Sequence, residues 1–226
     1  MKKQIPVLIL IGPPGCGKGT QGDYLAERLE VPKLSTGDLL RNEIKSQTEL
    51  GKKLEVGMGK GGLVDDQIVL KLLKEKVKAK ACEIGFILDG FPRSLIQAQR
   101  LEGLLEGLNK SINLVVIDIT VSDKGVLNRI TNRYYCSKCK TNYNKLYKNP
   151  RKKGVCDVCG ERDSFAVRED DTEEVVKNRL VEYRSQTAPV ISYYEKKGGL
   201  FHVDGNKEIG EVTKKIDSEL KKILTC

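Results

Sequence analysis

The sequence predicts an α/β fold in which a parallel sheet is covered by helices on both faces. Short apolar runs rich in β-branched residues alternate with helical segments along most of the 226 residues. This alternation is typical of parallel sheets buried between two layers of helices. In addition, a loop with three glycines directly follows the first apolar run, in the stretch ILIGPPGCGKGT of residues 9–20. Glycine is costly to order, so such a loop indicates that the backbone must come close to something there.

The elements follow from the same patterns in chain order. Predicted strands cover Ile5–Ile11, Phe86–Leu88, residues 112–119 and the short run GLFHVDG. Predicted helices cover residues 20–29, 94–108, the segment from the third strand to about Arg133, residues 173–197 and the terminal stretch IGEVTKKIDSELKKIL. Two stretches, 36–65 and 134–167, break the alternation and are interpreted as insertions, the first helical and the second polar.

Composition limits the class of protein. Apolar residues make up 39% of the chain and charged residues 31%, which fits a globular protein rather than a disordered one. The formal charge of +9 suggests an anionic partner, although a basic surface also aids solubility. No apolar run approaches the roughly 18 residues of a membrane span. A single histidine disfavours a mechanism built on that residue.

The first residues, MKKQIPVLILIG, combine two lysines with a short apolar run, as signal peptides do. The run leads into the glycine loop rather than into a small-residue cleavage site, and cleavage would remove that loop. We therefore expect a cytoplasmic protein.

The glycine loop has the spacing Gly12-x4-Gly17-Lys18 between a strand and a helix. Glycines let successive N–H groups point into one concavity, and the helix N-terminus adds partial positive charge. Lys18 would supply a movable cation for phosphate oxygens. The general pattern has Ser or Thr directly after the lysine, whereas here Gly19 holds that position and Thr20 follows. The loop predicts phosphate binding.

Two cysteine pairs lie in the second insertion. Cys136-x2-Cys139 and Cys156-x2-Cys159 are separated by 16 residues, which is the spacing of a four-thiolate zinc site. Disulfides are the alternative, but they seldom persist in the cytoplasm. Since sulfur would fill all four tetrahedral positions, the zinc would be structural, and it would stabilise a segment too small to form its own core.

Two further motifs are informative. LSTGDLLR places Arg41 early in a predicted helix, where a guanidinium can hold a phosphate with two hydrogen bonds. LDGFPR places Asp89 at the end of a buried strand, a position where ligands of open sheets gather and where a carboxylate can hold Mg²⁺ or its waters. Pro92 fixes the loop that carries Arg93, and the Gln97 side-chain amide suits the edge of adenine.

These motifs together resemble the adenylate kinases and their nucleoside monophosphate kinase relatives, and the resemblance covers nearly the whole chain. The family implies a three-layer P-loop fold with two insertions. Residues 1–35, 66–133 and 168–226 would form the core domain, residues 36–65 the segment that binds the monophosphate, and residues 134–167 a zinc-binding lid. The lid holds eight Lys and Arg against three acidic residues, which favours closure over ATP.

The resemblance also implies site residues. ATP would contact Gly15, Cys16, Gly17, Lys18, Gly19, Thr20, Arg129, Arg133, Asn142, Tyr143 and Lys207. AMP would contact Thr36, Arg41, Gly62, Leu63, Val64, Gly90, Phe91, Pro92, Arg93, Gln97, Arg168 and Arg179. The expected catalytic groups are Lys18, Asp89 with Mg²⁺, and the charge-stabilising Arg93, Arg129, Arg168 and Arg179.

Two local interpretations accompany this set. Arg129 and Arg133 lie four residues apart, which would place them on one helical face. Asp170 and Asp171 match acidic residues at the base of the family's lid, and Asp171 also fits an N-cap with Glu174 three residues later.

The implied activity is reversible transfer of a phosphoryl group from MgATP to AMP by a monomer, with no nucleic acid or membrane as partner. The closest alternative is a UMP/CMP-type kinase. A zinc-ribbon nucleic-acid-binding protein with an NTP site would also suit the charge, but the segment has no recognition-helix pattern. A GTPase-like switch would need a guanine-reading signature, which the sequence lacks.

Overall fold

The computed structural model describes residues 4–59 and 64–224, apart from the side chains of residues 56–59. The strands are β1 (Ile5–Ile11), β2 (Lys33–Ser35), β3 (Phe86–Asp89), β4 (Ile112–Thr120), β5 (Arg133–Cys136), β6 (Asn142–Asn144), β7 (Phe165–Ala166) and β8 (Leu200–Asp204). The α-helices are α1 (Lys18–Leu29), α2 (Thr36–Lys45), α3 (Glu49–Gly59), α4 (Asp66–Val77), α5 (Leu95–Glu106), α6 (Asp123–Thr131), α7 (Glu173–Glu182), α8 (Ala188–Lys197) and α9 (Ile209–Leu224).

The central sheet is parallel throughout and has the strand order β2-β3-β1-β4-β8. In the register, Val7 of the middle strand pairs with Phe86 on one side and Leu114 on the other. Each connection between neighbouring parallel strands passes through helices, as crossover geometry requires. The predicted α/β class with a parallel sheet is therefore confirmed.

Both faces of the sheet are buried, which explains why β1 is apolar without alternation. Val7 and Ile9 pack into one core together with Leu101 of α5 and Tyr194 of α8. On the opposite face, Leu8 and its alternate neighbours pack against α1 and α9. Each aliphatic side chain so buried contributes about 2 kcal/mol to folding.

A second, antiparallel sheet lies within the second insertion, with the strand order β6-β5-β7. Its core is small and aromatic. Tyr134 stacks on Tyr143, and Phe165 meets both rings edge-on. The four cysteines of the two pairs adjoin this cluster.

Several element boundaries differ from the sequence-based expectation. The helix expected to reach Arg133 ends at Thr131, because Arg133 begins β5 and pairs with Asn144 across the small sheet. The long helix predicted over residues 173–197 contains a π-helical turn at Tyr183–Thr187. Pro189 accounts for this interruption, since it lacks the N–H that would bond to the preceding turn. Strand β2 was not expected, because three residues give too short a pattern.

Among the described helices, none combines the length and the apolarity that crossing a membrane requires.

Candidate active site

A cleft of about 840 Å³ opens at the carboxyl ends of the central strands, where Ile11, Asp89 and Gly205 border it. Ligands of open parallel sheets bind at this edge. The glycine loop and both insertions contribute to its wall. The sequence-predicted residues that line it are Gly15, Cys16, Gly17, Lys18, Gly19, Thr20, Thr36, Arg41, Val64, Asp89, Gly90, Pro92, Arg93, Gln97, Arg129, Arg133, Asn142, Tyr143, Arg168, Arg179 and Lys207.

Three predicted residues are not placed there. The ring of Phe91 is 1% exposed and packs in the hydrophobic core beneath the cleft wall. Gly62 and Leu63 lie outside the described residues.

The glycine loop has a backbone that other residues would strain. Gly12 has φ 143° and Gly17, directly before α1, has φ 110°. A Cβ on Gly12 would stand 2.3 Å from the carbonyl oxygen of Ile119, so a side chain is excluded by contact as well as by φ. The loop therefore brings the N-terminus of α1 to the cleft, where its free N–H groups can bind an anion.

The Lys18 ammonium lies over this loop. Its Nζ donates to the carbonyl oxygens of Gly12 at 2.7 Å and Pro13 at 2.8 Å. Among the described residues, no carboxylate lies within ion-pairing distance of Lys18, whose ammonium borders the cleft.

The glycine loop, strand β3 and the second insertion meet at Gly19. A Cβ added there would lie 3.7 Å from an Asp89 carboxylate oxygen and 3.8 Å from the Asn142 amide nitrogen. Asn142 also accepts a hydrogen bond from Arg168, 3.3 Å from Nη2 to Oδ1. A carboxylate beside a phosphate loop has the chemistry of a Mg²⁺ ligand.

Arg129 and Arg133 occupy different elements, so the expectation that they share a helical face is wrong. Arg129 lies in the last turn of α6, whereas Arg133 lies in β5. Arg129 donates to the carbonyl oxygens of Cys16 at 3.2 Å and Gly205 at 2.5 Å. It thereby joins α6 to the glycine loop and to the turn after β8.

The two aspartates after the second insertion hold arginines. Arg133 Nε donates to Asp171 at 2.8 Å, and Arg179 pairs with Asp170. The side chain of Asp171 is 1% exposed and does not cap a helix; Thr172 caps α7 instead, accepting from the N–H of Val175. The N-cap interpretation of Asp171 was therefore wrong. Burial alone would raise the pKa of Asp170, but Arg179 brings it below its ordinary value.

The arginines in the cleft repel one another. Burial lowers the pKa of Arg93, and the charges of Arg179 and Arg41 lower it further. Burial lowers the pKa of Arg168 to about 10, with added repulsion from Arg133 and Arg41. All remain protonated at neutral pH. Like charges held this closely are stabilised by a polyanion, so the cleft is built for a ligand with several phosphates.

Hydrogen bonds join the start of α2 to the loop after β3. Thr36 donates to the carbonyl oxygen of Gly90 at 2.9 Å, and Arg93 Nε donates to the same oxygen at 2.7 Å. Thr187 donates to the carbonyl oxygen of Arg93 at 2.9 Å. Gln97, 2% exposed, closes this end of the cleft.

Tyr143 borders the cleft, but the partners of its hydroxyl lie within residues 134–167. The oxygen accepts from the N–H of Asp157 at 2.8 Å and lies 3.4 Å from the Cys156 sulfur. Two residues that sequence reasoning missed, Leu146 and Tyr147, are more than half exposed and line the cleft. The Tyr147 ring lies 5.6 Å from the Arg129 guanidinium. The sequence did contain a signal for them, since Leu146 and Tyr147 are adjacent apolar residues in an otherwise polar segment, a pattern that can mark a binding surface.

The four cysteines form one cluster in which their sulfur atoms all lie within 4.8 Å of one another. The two pairs have equivalent backbones. Lys140 and Gly160, each directly after a pair, have positive φ and donate N–H to the carbonyl of the pair's first cysteine at 2.9 Å. The Cys139 and Cys156 sulfurs lie 3.4 Å apart, and no disulfide joins the four cysteines. Four thiols in two such turns fit a tetrahedral metal ion.

His202 lies on β8 and belongs to a different cluster. Its Nδ1 is 2.9 Å from buried Asp118, and its Nε2 is 3.1 Å from Glu195. The hydrogen bond to Asp118 raises the pKa of His202. Because it is held in this pair, His202 is part of the β4–β8 edge rather than of the cleft wall.

Comparison with known proteins identifies the family. The family model for adenylate kinase matches residues 10–199. The chain belongs to the adenylate kinase family. It is 46% identical over 209 residues to an adenylate kinase of Caldicellulosiruptor bescii, covering 92% of this chain and 96% of the relative.

Relatives in other lineages match as fully. An adenylate kinase of Archaeoglobus fulgidus is 46% identical, covering 96% of this chain and 98% of the relative. One of Erythrobacter litoralis is 44% identical, covering 95% and 99%. The chain is thus a phosphotransferase of the nucleoside monophosphate kinase type, and the resemblance stated from its motifs is confirmed.

Proposed function

We propose that this adenylate kinase transfers the γ-phosphoryl group of ATP reversibly to AMP, giving two ADP. One observation supports this most: five mutually repelling arginines and Lys18 surround a cleft that has a phosphate loop at one end and the Gln97 side-chain amide at the other. Such a cleft suits two nucleotides whose phosphates meet in its middle.

At the donor end, the loop amides and the N-terminus of α1 would hold the β-phosphate, while Lys18 reaches the β- and γ-phosphates. Arg129, fixed to the loop carbonyl of Cys16, would add charge from the opposite side. Tyr147 and Leu146 would offer apolar surface to the base of ATP. These would be binding and orienting roles.

At the acceptor end, Arg41 would hold the α-phosphate of AMP, and Val64 and Gln97 would contact its base. The attacking atom is already an anionic phosphate oxygen, so no strong general base is needed. The described cleft wall contains no histidine, since His202 lies elsewhere.

During transfer, negative charge shifts among the oxygens of the moving group. Arg93, Arg168 and Arg179 would stabilise this charge, since guanidinium groups can bridge two oxygens at once. Two of these guanidinium groups are already held by protein groups. Arg179 is paired with Asp170 and Arg93 is bonded to Gly90, so little reorganisation is required.

Two metal ions belong to the proposal. Asp89, beside the phosphate loop, would hold the Mg²⁺ that accompanies ATP, directly or through water. When bound, Mg²⁺ neutralises phosphate charge. Cys136, Cys139, Cys156 and Cys159 would hold a structural Zn²⁺, for which their clustered sulfurs are suited.

The segments around the cleft would have separate tasks. Residues 134–167 would act as a lid over ATP and residues 36–65 as the monophosphate-binding segment, both moving on a core of residues 1–35, 66–133 and 168–226. Closure would exclude water and so prevent hydrolysis of ATP. We further propose that the enzyme is a cytoplasmic monomer.

A coupled assay of ADP formation tests the acceptor. With ATP as donor, we expect kcat/KM for AMP to exceed that for UMP, CMP and GMP by at least about a hundredfold, because a buried hydrogen-bonding group rejects mismatched bases strongly. Equal activity with UMP or CMP would favour a UMP/CMP-type kinase and contradict the proposal.

A further inference from the structure

The side-chain amide of Gln97 is bonded at both of its ends. Its Oε1 accepts from the backbone N–H of Arg93 at 2.7 Å, and its Nε2 donates to Asp66 Oδ1 at 2.5 Å. Asp66 is the first residue of α4 and lies 31 residues before Gln97 in the chain. The amide faces the cleft at the acceptor end and is 2% exposed.

These partners leave one orientation for the amide. A backbone N–H can only donate and a carboxylate can only accept, so the oxygen must face Arg93 and the nitrogen must face Asp66. If the amide turned by 180°, its NH2 group would face the Arg93 N–H, so that two donors would meet. Its oxygen would face the Asp66 carboxylate, so that two acceptors would meet. Inside a buried wall, both groups would then lack partners, which is strongly unfavourable.

Asp66 is itself held in place. Its second oxygen, Oδ2, accepts from the hydroxyl of Ser94 at 3.3 Å. The same hydroxyl oxygen accepts from the N–H of Gln97 at 3.2 Å, where Ser94 caps α5. The carboxylate of Asp66 therefore receives a hydrogen bond at each oxygen, and α4 is joined to the start of α5.

An amide fixed in this way presents a fixed polarity. An amide has two N–H groups and two acceptor sites, and one of each is used by Asp66 and Arg93. One donor and one acceptor remain. Adenine offers an amino donor beside a ring-nitrogen acceptor, whereas hypoxanthine and guanine offer a carbonyl acceptor beside an N–H donor. A freely turning amide could match either pattern, but a fixed amide matches one.

We propose that Asp66 is a positioning residue that determines base specificity: it fixes the Gln97 amide so that the acceptor end takes adenine and rejects bases of inverted polarity. This inference rests on the proposed function, in which Gln97 meets the base of the acceptor nucleotide. Asp66 acts through Gln97 and through no contact of its own with the substrate.

The substitution Asp66→Asn tests the proposal with AMP and IMP as acceptors. Hypoxanthine differs from adenine in the polarity of the edge in question, so IMP isolates the effect of the amide. Asparagine can either donate or accept, so a turned Gln97 amide would oppose another donor at one end only, the backbone N–H of Arg93, and turning would cost less than in the wild type. We expect the ratio of kcat/KM for AMP to that for IMP to fall at least about tenfold. The fall in this ratio should come from changes in the KM values for AMP and IMP. The kcat at saturating AMP should be that of the wild type.

The neighbouring substitution Asp65→Asn is the matched control. Asp65 caps α4 by accepting from the N–H of Gln67 at 2.8 Å, and Asn serves equally well as a cap. The change removes the same charge one residue away, and we expect the AMP to IMP ratio of the wild type. Because the ratio compares two substrates on one preparation, partial unfolding does not alter it. If Asp66→Asn does not fold, Asp66→Ser, which also can donate or accept, replaces it.

The outcomes separate the two proposals. If wild-type enzyme makes no ADP from ATP and AMP, the proposed function fails. If wild type is active but uses IMP as well as AMP, or if Asp66→Asn lowers both acceptors by the same factor, the proposed function stands and the role of Asp66 is wrong. A ratio lowered equally by Asp65→Asn would also overturn it, since charge alone would then explain the effect.

Discussion

Replacing Lys18 with methionine is expected to lower kcat for phosphoryl transfer about a thousandfold and to leave the fold intact. Methionine nearly matches the length of lysine but carries no charge and no donor. In the described structure, the hydrogen bonds of the ammonium to protein go to the loop carbonyls of Gly12 and Pro13 and, at 3.4 Å, to the Cys16 sulfur. Its charge is therefore available to the phosphates, whose oxygens gain charge as the bond breaks.

The cost of this substitution to stability should be small. The two carbonyl hydrogen bonds lie at the cleft surface, where each contributes about 1 kcal/mol and water can replace the ammonium. Steady-state kinetics and a thermal melt of the same sample measure the two effects. Lys214→Met, on the exposed face of α9, is the matched control and should keep full activity. A Lys18→Met enzyme that retains more than a tenth of wild-type kcat would contradict the role given to this lysine.

The second large effect is expected from Cys156→Ser. Cys156 is 1% exposed, and its sulfur lies 3.4 Å from both Cys139 and the Tyr143 hydroxyl. Serine binds zinc far less well than a thiolate, so bound zinc should fall from about one ion per chain to nearly none. The aromatic core of the small sheet β6-β5-β7 is small, and we expect the melting temperature to fall by at least about 5 °C.

Metal analysis by mass spectrometry, with calorimetric melting, measures both quantities. Cys82→Ser is the control, because Cys82 is also buried but lies in the main core, 3.3 Å from the carbonyl oxygen of Lys76. The Cys82→Ser variant should keep its zinc. Unchanged zinc content and melting temperature in Cys156→Ser would show that the cysteine cluster is not a structural metal site.

The sequence was most informative where a local pattern determines the structure. The unbroken apolar run Ile5–Ile11 indicated a strand buried on both faces, and its side chains do pack into two separate cores. The glycine spacing predicted a loop of unusual backbone, and a Cβ added to Gly12 would indeed collide with the carbonyl oxygen of Ile119. The cysteine spacing likewise predicted a cluster, since each pair forms its turn within a few residues.

The sequence was less informative where contacts between residues distant in the chain determine the local structure. Arg133 follows a helix and has helical spacing from Arg129, but pairing with β6 draws it into a strand. Asp171 has the spacing of an N-cap, but its side chain is buried and accepts a hydrogen bond from Arg133. The bond from Gln97 to Asp66 joins residues on separate helices, and no pattern in either helix announces it.

The central claim is that one cleft grips two nucleotides end to end within a cage of arginines, loop amides and Lys18. A crystal structure with a dinucleotide whose two adenosines are joined by a polyphosphate chain tests it most directly. The account predicts one molecule per cleft, its phosphates in contact with Lys18 Nζ and the guanidinium groups of Arg93 and Arg168, and one adenine against Gln97. A saturated crystal with the cleft free of ligand, or with the phosphates bound elsewhere and Lys18 facing solvent, would contradict it.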